Sequence, residues 1–225
     1  MLHGFAGGPA SFGCVLEDLS PEVRVLRPWL SGHGPGPALA RTWDEEIERL
    51  LALLGEERAH LLGYSLGGRI AWSLLARAPE RFASAIIVGG HPGLASEAER
   101  VARAEADARW IALLEREGMG AFVAAWEALP HFATQSEAQR EAQRAVRRAH
   151  TAEGLAHALR VLGLASMPAV DPDRVAVPVT VLVGERDRSA AASALPRAER
   201  VPGAGHNLLV ERPDVVRAQL LRRLA

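Results

Sequence analysis

Hydrophobic positions along the 225-residue chain follow two periods. Short apolar runs bounded by glycine or proline fall at residues 59–62, at Ala85-Ile86-Ile87-Val88 within 81–90, and at 179–183 after Pro178. Each has the length of a buried strand. Residues 22–27 (Glu-Val-Arg-Val-Leu-Arg) alternate like a half-buried strand, and Glu199-Arg200-Val201 makes a shorter one. Helical spacing covers 9–19, 43–54 (Ile47, Leu50, Leu51 and Leu54, ending at Gly55), 70–78 and 213–224. Strands alternating with helices predict a mostly parallel sheet with helices on both faces. From Gly93 to about Ser166 the strand signal disappears, and alanine, arginine and glutamate recur at helical spacing. Breaks near Gly118-Met119-Gly120, Leu129-Pro130 and Glu153-Gly154 divide this stretch into roughly four helices. The expectation is one domain over 1–225, with a core at 1–93 and 167–225 and a helical lid at 94–166.

Between the 59–62 run and the helix that follows lies Gly63-Tyr64-Ser65-Leu66-Gly67. A serine on a sharp strand-to-helix turn needs small neighbours two residues either side, because its backbone is strained there. The turn holds the Ser65 hydroxyl clear of the sheet, with the Leu66 backbone NH free to face an oxyanion. A serine hydroxyl becomes reactive only when a base takes its proton, and the base needs an orienting acid. Asp187 follows the 179–183 run and His206 follows Val201, so all three candidates sit at carboxyl ends of strands. Glu185 is a rival orienting acid, and His206 could instead cap the next helix. The loop His3-Gly4-Phe5 offers the Phe5 backbone NH as a second oxyanion donor. His3 reads as structural, and His33 and His91 as turn residues without a chemical role. The histidines show no metal-ligand spacing, and no lysine follows Gly7-Gly8 or Gly67-Gly68 to make a phosphate loop.

Composition narrows the classes. The net charge of −1 gives no basic footprint for nucleic acid or an anionic membrane surface. All 26 basic side chains are arginine, a bias that a GC-rich genome explains as well as function does. Cys14 is the sole cysteine, so an internal disulfide is excluded, and its expected role is helix packing. With no signal-peptide pattern and no run long enough to span a bilayer, the reading is cytoplasmic.

These motifs resemble the α/β-hydrolase superfamily over nearly the whole chain. Within it they are most similar to the 2-succinyl-6-hydroxy-2,4-cyclohexadiene-1-carboxylate synthases of menaquinone biosynthesis. The shared pieces are Leu2-His3-Gly4-Phe5, the elbow through Gly68-Arg69, and Gly89-Gly90-His91-Pro92-Gly93-Leu94. Glu99-Arg100 with Arg103, Asp107 and Trp110, then Trp126, Pro130 and Phe132, match in the lid. Gly184-Glu185-Arg186-Asp187 and Ala204-Gly205-His206-Asn207 complete the set. The resemblance implies a lyase that eliminates pyruvate, with Ser65 as base or proton relay backed by His206 and Asp187. It implies no cofactor or metal, and a small polycarboxylate substrate held by Arg69, Arg103 and Arg147 with Tyr64, Trp126 and Phe132 around it. A monomer or weak homo-oligomer is expected.

Two departures stand out. Where the family has Asp-Leu-Pro-Gly-His-Gly, this chain reads Trp29-Leu30-Ser31-Gly32-His33-Gly34. The strands that precede His-Gly in the family are missing, including one that would lie between the 22–27 strand and the elbow strand. The expectation is that the functional reading frame begins upstream or that the chain is a fragment. A carboxylesterase or carbon–carbon bond hydrolase using the same triad is the alternative activity, and a non-catalytic binding protein the alternative class. An arginine-bearing lid favours the lyase over an esterase, whose lid would be mostly apolar.

Overall fold

A computed structural model describes residues 1–36 and 39–224. The glycine- and proline-rich stretch 31–37 reads as a loop from its sequence, and its last residue, Pro37, lies outside the described residues. Four parallel strands stand in sequence order: β1 (Ala59–Tyr64), β2 (Phe82–Val88), β3 (Val179–Gly184) and β4 (Glu199–Val201). The helices are α1 (Trp43–Leu54), α2 (Leu66–Arg77), α3 (Glu97–Glu127), α4 (Glu137–Arg148), α5 (Ala152–Leu162), α6 (Ala190–Ala194), α7 (Leu208–Glu211) and α8 (Pro213–Leu224).

Side-chain alternation along the strands feeds two cores. Leu61, Ala85, Ile87 and Val183 pack with Ile47, Leu50, Ile70 and Trp72 of α1 and α2. Leu62, Ile86, Val88 and Leu182 pack on the opposite face with Leu208, Val216 and Leu220 of α7 and α8. Burying each of these large side chains contributes about 1.5–3 kcal/mol. A third cluster joins Leu114, Phe122, Leu155 and Leu159 of the helical segment to Ala6 and Phe5. Helix α1 starts where Thr42 accepts the Glu45 NH, carries Asp44, Glu45 and Glu46 in its first turn, and stops at Gly55. None of the described helices is long and apolar enough to cross a membrane.

Several expected elements take another form. Residues 9–19 make only a short 3-10 helix, Pro9–Val15, because Phe12 and Val15 lie three apart and both point into one core, a spacing that a three-residue turn satisfies. Cys14 on that turn is exposed, so it does not pack between helices as expected. Residues 22–27 join no ladder among the described residues. Leu2 makes one parallel bridge to Gly63, and the rest of the β1 edge faces an apolar cavity of about 230 Å³ walled by Val23, Val25, Leu50, Leu74, Phe82 and Leu220. An alternating segment needs a neighbouring strand to become one, and here the neighbouring position is a gap. In the helical segment the expected break near Gly118 is present as a kink inside α3, where Gly118 has a non-helical φ of 75°. The last break falls at residues 149–151 rather than at Glu153-Gly154, because Thr151 caps α5 through the Gly154 NH.

Candidate active site

Ser65 sits between β1 and α2 at φ 50°, ψ −108°, a conformation that costs energy for any residue with a side chain. The packing around it demands glycine. A Cβ on Gly63 would strike the Gly67 carbonyl, and one on Gly67 would strike the Leu2 carbonyl. Backbone bonds then hold the turn: Ser65 NH donates to Val88 O at 2.8 Å and Gly67 NH to His3 O at 2.9 Å. Tyr64 NH donates to Leu2 O, so the His3-Gly4-Phe5 loop is pinned beside the serine. Leu66 opens α2, where a first-turn NH has no intrahelical partner.

Three residues far apart in sequence meet here. Ser65 Oγ lies 3.0 Å from His206 Nε2, and His206 Nδ1 lies 2.8 Å from Asp187 Oδ2. The carboxylate at Nδ1 makes that nitrogen the donor, which leaves Nε2 as an acceptor for the serine proton. Asp187 Oδ1 accepts the Ser189 NH at 2.8 Å. Burial pushes the Asp187 carboxyl up, but the His206 and Ser189 hydrogen bonds outweigh it and hold the group below its ordinary value. Glu185, the rival acid, accepts the Gly203 NH instead. His206 is followed by Asn207 at the start of α7, so it caps no helix. Glu211 accepts from Gly205 NH, Asn207 NH and Thr134 Oγ, which ties the His206 loop to the helical segment.

A cavity of about 120 Å³ opens over Ser65 and His206, lined by Phe5, Tyr64, Arg69, Arg103, Trp126 and Phe132 among others. Tyr64 stacks obliquely on His206 at 5.4 Å, and burial together with Asp187 raises its pKa, so its hydroxyl stays protonated. Arg69 is half-buried, and its Nη1 is covered and lacks any partner among the described residues. Burial, reinforced by Arg103, lowers its pKa to about 9, so it remains a cation at neutral pH. Arg103 leans on Asp107 through Nε at 3.0 Å.

Arg147 does not line the cavity. Its guanidinium pairs with Glu127 at 3.0 Å and lies 4.9 Å over the Phe132 ring, so its charge is already met within the protein. Two histidines that carried no role in the sequence line the cavity as well: His91 and His131. His91 Nδ1 accepts the Gly93 NH at 3.0 Å, which leaves its proton on Nε2. His91 follows β2, so the rule that ligands gather at carboxyl ends of strands would have found it; His131 carries no such signal.

His3 and His33 form a buried group with His150. His3 accepts the Leu30 NH, His33 the Ala6 NH and His150 the Gly34 NH, with ring centroids 4.9 and 5.5 Å apart along the row. They clamp the Phe5 loop against the 29–34 loop. Ser31, one of the departures noted above, donates to Glu46 at 2.6 Å and accepts the Ala40 NH.

A family model described as alpha/beta hydrolase fold matches residues 1–213. A 2-succinyl-6-hydroxy-2,4-cyclohexadiene-1-carboxylate synthase from Enterobacter sp. (strain 638) is 36% identical, covering 99% of this chain and 90% of the relative. Among solved structures, MenH from S. aureus superposes with a TM-score of 0.89 at 26% identity, covering 99% of this chain and 91% of that one. A malate-bound thermophilic esterase from Thermogutta terrifontis superposes with a TM-score of 0.80 at 24% identity, covering 99% and 87%, and so shares the fold. The chain belongs to the α/β-hydrolase family and, within it, to the group of the 2-succinyl-6-hydroxy-2,4-cyclohexadiene-1-carboxylate synthases.

Proposed function

We propose that this chain eliminates pyruvate from 2-succinyl-5-enolpyruvyl-6-hydroxy-3-cyclohexene-1-carboxylate, leaving 2-succinyl-6-hydroxy-2,4-cyclohexadiene-1-carboxylate. The observation that carries the reading is the half-buried Arg69 guanidinium, its Nη1 unpartnered among the described residues, in the same cavity as the Ser65–His206 pair. A covered cationic nitrogen without a hydrogen-bond partner is costly, and a carboxylate ligand offsets that cost. The substrate carries three carboxylates, and Arg69 and Arg103 present guanidinium forks suited to them.

In this reading Ser65 takes a substrate C–H proton while His206 Nε2 receives the hydroxyl proton. Asp187 holds the imidazole and stabilises its charged form. The electron pair from the broken C–H bond spreads onto the succinyl ketone as an enolate, which the Phe5 and Leu66 backbone NH groups stabilise. Its return forms a ring double bond between C2 and C3, the existing C3–C4 double bond shifts to C4–C5, and the enolpyruvyl oxygen leaves C5. The proton held by His206 goes back to the departing enolate, which becomes pyruvate. No acyl-enzyme forms. Tyr64, Trp126 and Phe132 wall the ring, while Arg147 acts at one remove by holding Phe132 and Glu127.

The test is pyruvate release from the synthase substrate, followed beside hydrolysis of a neutral p-nitrophenyl ester. Faster turnover of the ester than of the tricarboxylate would replace this reading with the esterase one.

A further inference from the structure

His131 belongs to the cavity wall, yet the elimination gives it nothing to do. It sits on the 3-10 turn Pro130–Phe132, which follows α3. Its ring stands edge-on to His206, 5.6 Å between centroids at 85°. Its Nδ1 is buried and has no partner among the described residues. Such an atom costs stability unless something bonds to it. The turn is also held in place: Phe132 beside it is buried, and Thr134 Oγ donates to Glu211 at 2.7 Å, the carboxylate that shapes the His206 loop. His131 is therefore a fixed part of the cavity wall.

Its chemistry differs from that of the arginines. Burial lowers the His131 pKa, as do His206 and Arg103 nearby, with Asp187 opposing. A neutral imidazole suits an uncharged oxygen better than a carboxylate. On the proposed reading, the ligand's carboxylates go to guanidinium groups and its ketone to the backbone NH pair. The ring hydroxyl, present in both substrate and product, is the polar group left without a partner. We infer that the His131 imidazole, on the cavity wall beside His206, is a specificity-determining contact for the ring hydroxyl of the ligand.

This inference rests on the proposed function, so the experiment separates the two. Wild type, His131→Leu and His131→Gln are compared for kcat and KM on the synthase substrate. Inhibition by the product and by its 6-deoxy analogue is measured for each. Labelling of Ser65 by a fluorophosphonate reads the triad independently of the substrate. In wild type the deoxy analogue should bind about tenfold more weakly than the product, the usual worth of one hydrogen bond to a buried group. In His131→Leu that preference should vanish, with KM raised and kcat/KM lowered by about tenfold. His131→Gln, which keeps a hydrogen-bonding group, should recover most of the loss. Labelling should stay within about twofold throughout. A preference that survives in His131→Leu, or labelling that falls in step with turnover, would overturn the subsite alone. A wild-type chain that neither releases pyruvate nor binds the product would overturn the proposed function, and the hydroxyl contact with it.

Discussion

Replacing Arg69 by methionine should separate function from stability. The side chain lies half-buried on the first turns of α2, with Nη1 unpartnered among the described residues and Arg103 as a like-charged neighbour. Methionine keeps most of the aliphatic stem and discards the charge. A charged hydrogen bond to a buried group is worth about 1.5–3 kcal/mol, so kcat/KM for the tricarboxylate should fall about 10- to 150-fold. The folded state, in contrast, loses a desolvated cation that no protein carboxylate contacts directly. Its Tm should hold or rise by about 2–4 °C per kcal/mol of relief, as expected for a chain of this size. Arg69→Lys should fall between, because it restores charge without the planar fork. Pyruvate release gives the kinetic half and a circular-dichroism melt the other. A Tm lowered by more than about 4 °C with kcat/KM intact would mean that Arg69 serves the fold, and the carboxylate argument would be wrong.

Other outcomes follow from the same geometry. Ser65→Ala and His206→Ala should each remove most turnover, and the double variant should be little worse than either, since the pair acts as a unit; multiplying losses in a pyruvate assay would count against a shared relay. Arg147→Ala should destabilise by about 1–3 kcal/mol in denaturant titration, because it strips a buried partner from Glu127, which then keeps Arg144. Acid should loosen the molecule through His3, His33 and His150, all lowered first by burial, His3 to about 4. The unfolded chain binds more protons below its ordinary histidine value near 6.5, so stability falls as pH drops from about 6.5 toward 4. His3 alone accounts for about 3 kcal/mol of that loss. A stability curve by urea titration that is flat between pH 7 and 5 would refute it.

The legible parts of this molecule are those whose cause is local. Helix α1 begins and ends where Thr42 and Gly55 place it, and α8 starts at Pro213. The turn at Ser65 could be read because two close backbone approaches leave room for glycine alone. Order along the chain and strand ends were enough to name Asp187 and His206, and Glu185 ranked second because it lies nearer the strand. That choice depends on which carboxylate the β3–α6 turn swings inward, and Glu185 is taken up by Gly203. Residues 22–27 misled because alternation reports a surface with two sides, not the presence of a neighbour to pair with. Arg147 was placed by similarity to anion-binding positions, yet Glu127, twenty residues earlier, satisfies it. His131 was invisible because nothing in its sequence surroundings reports a partner withheld.

The row of neutral histidines bears on how the site is held open for its ligand. The Phe5 NH can serve an oxyanion only if the 3–8 loop keeps its shape, and Ala6 holds a left-handed φ of 54° within it. Ala6 NH is bound by His33, and Gly34 NH by His150, which lies just before α5. Ser31, from the neighbouring turn, reaches Glu46 on α1. The 3–8 loop is thus fixed from two sides, by the helical segment and by the core, through imidazoles that accept hydrogen bonds only while neutral. Protonating any one converts an acceptor into a donor facing an NH, so the oxyanion loop should lose its shape before the sheet does. In acid, Ser65 labelling should therefore decline at a higher pH than the loss of far-ultraviolet circular dichroism. Simultaneous loss of both signals would show that the histidines support the whole fold rather than this loop.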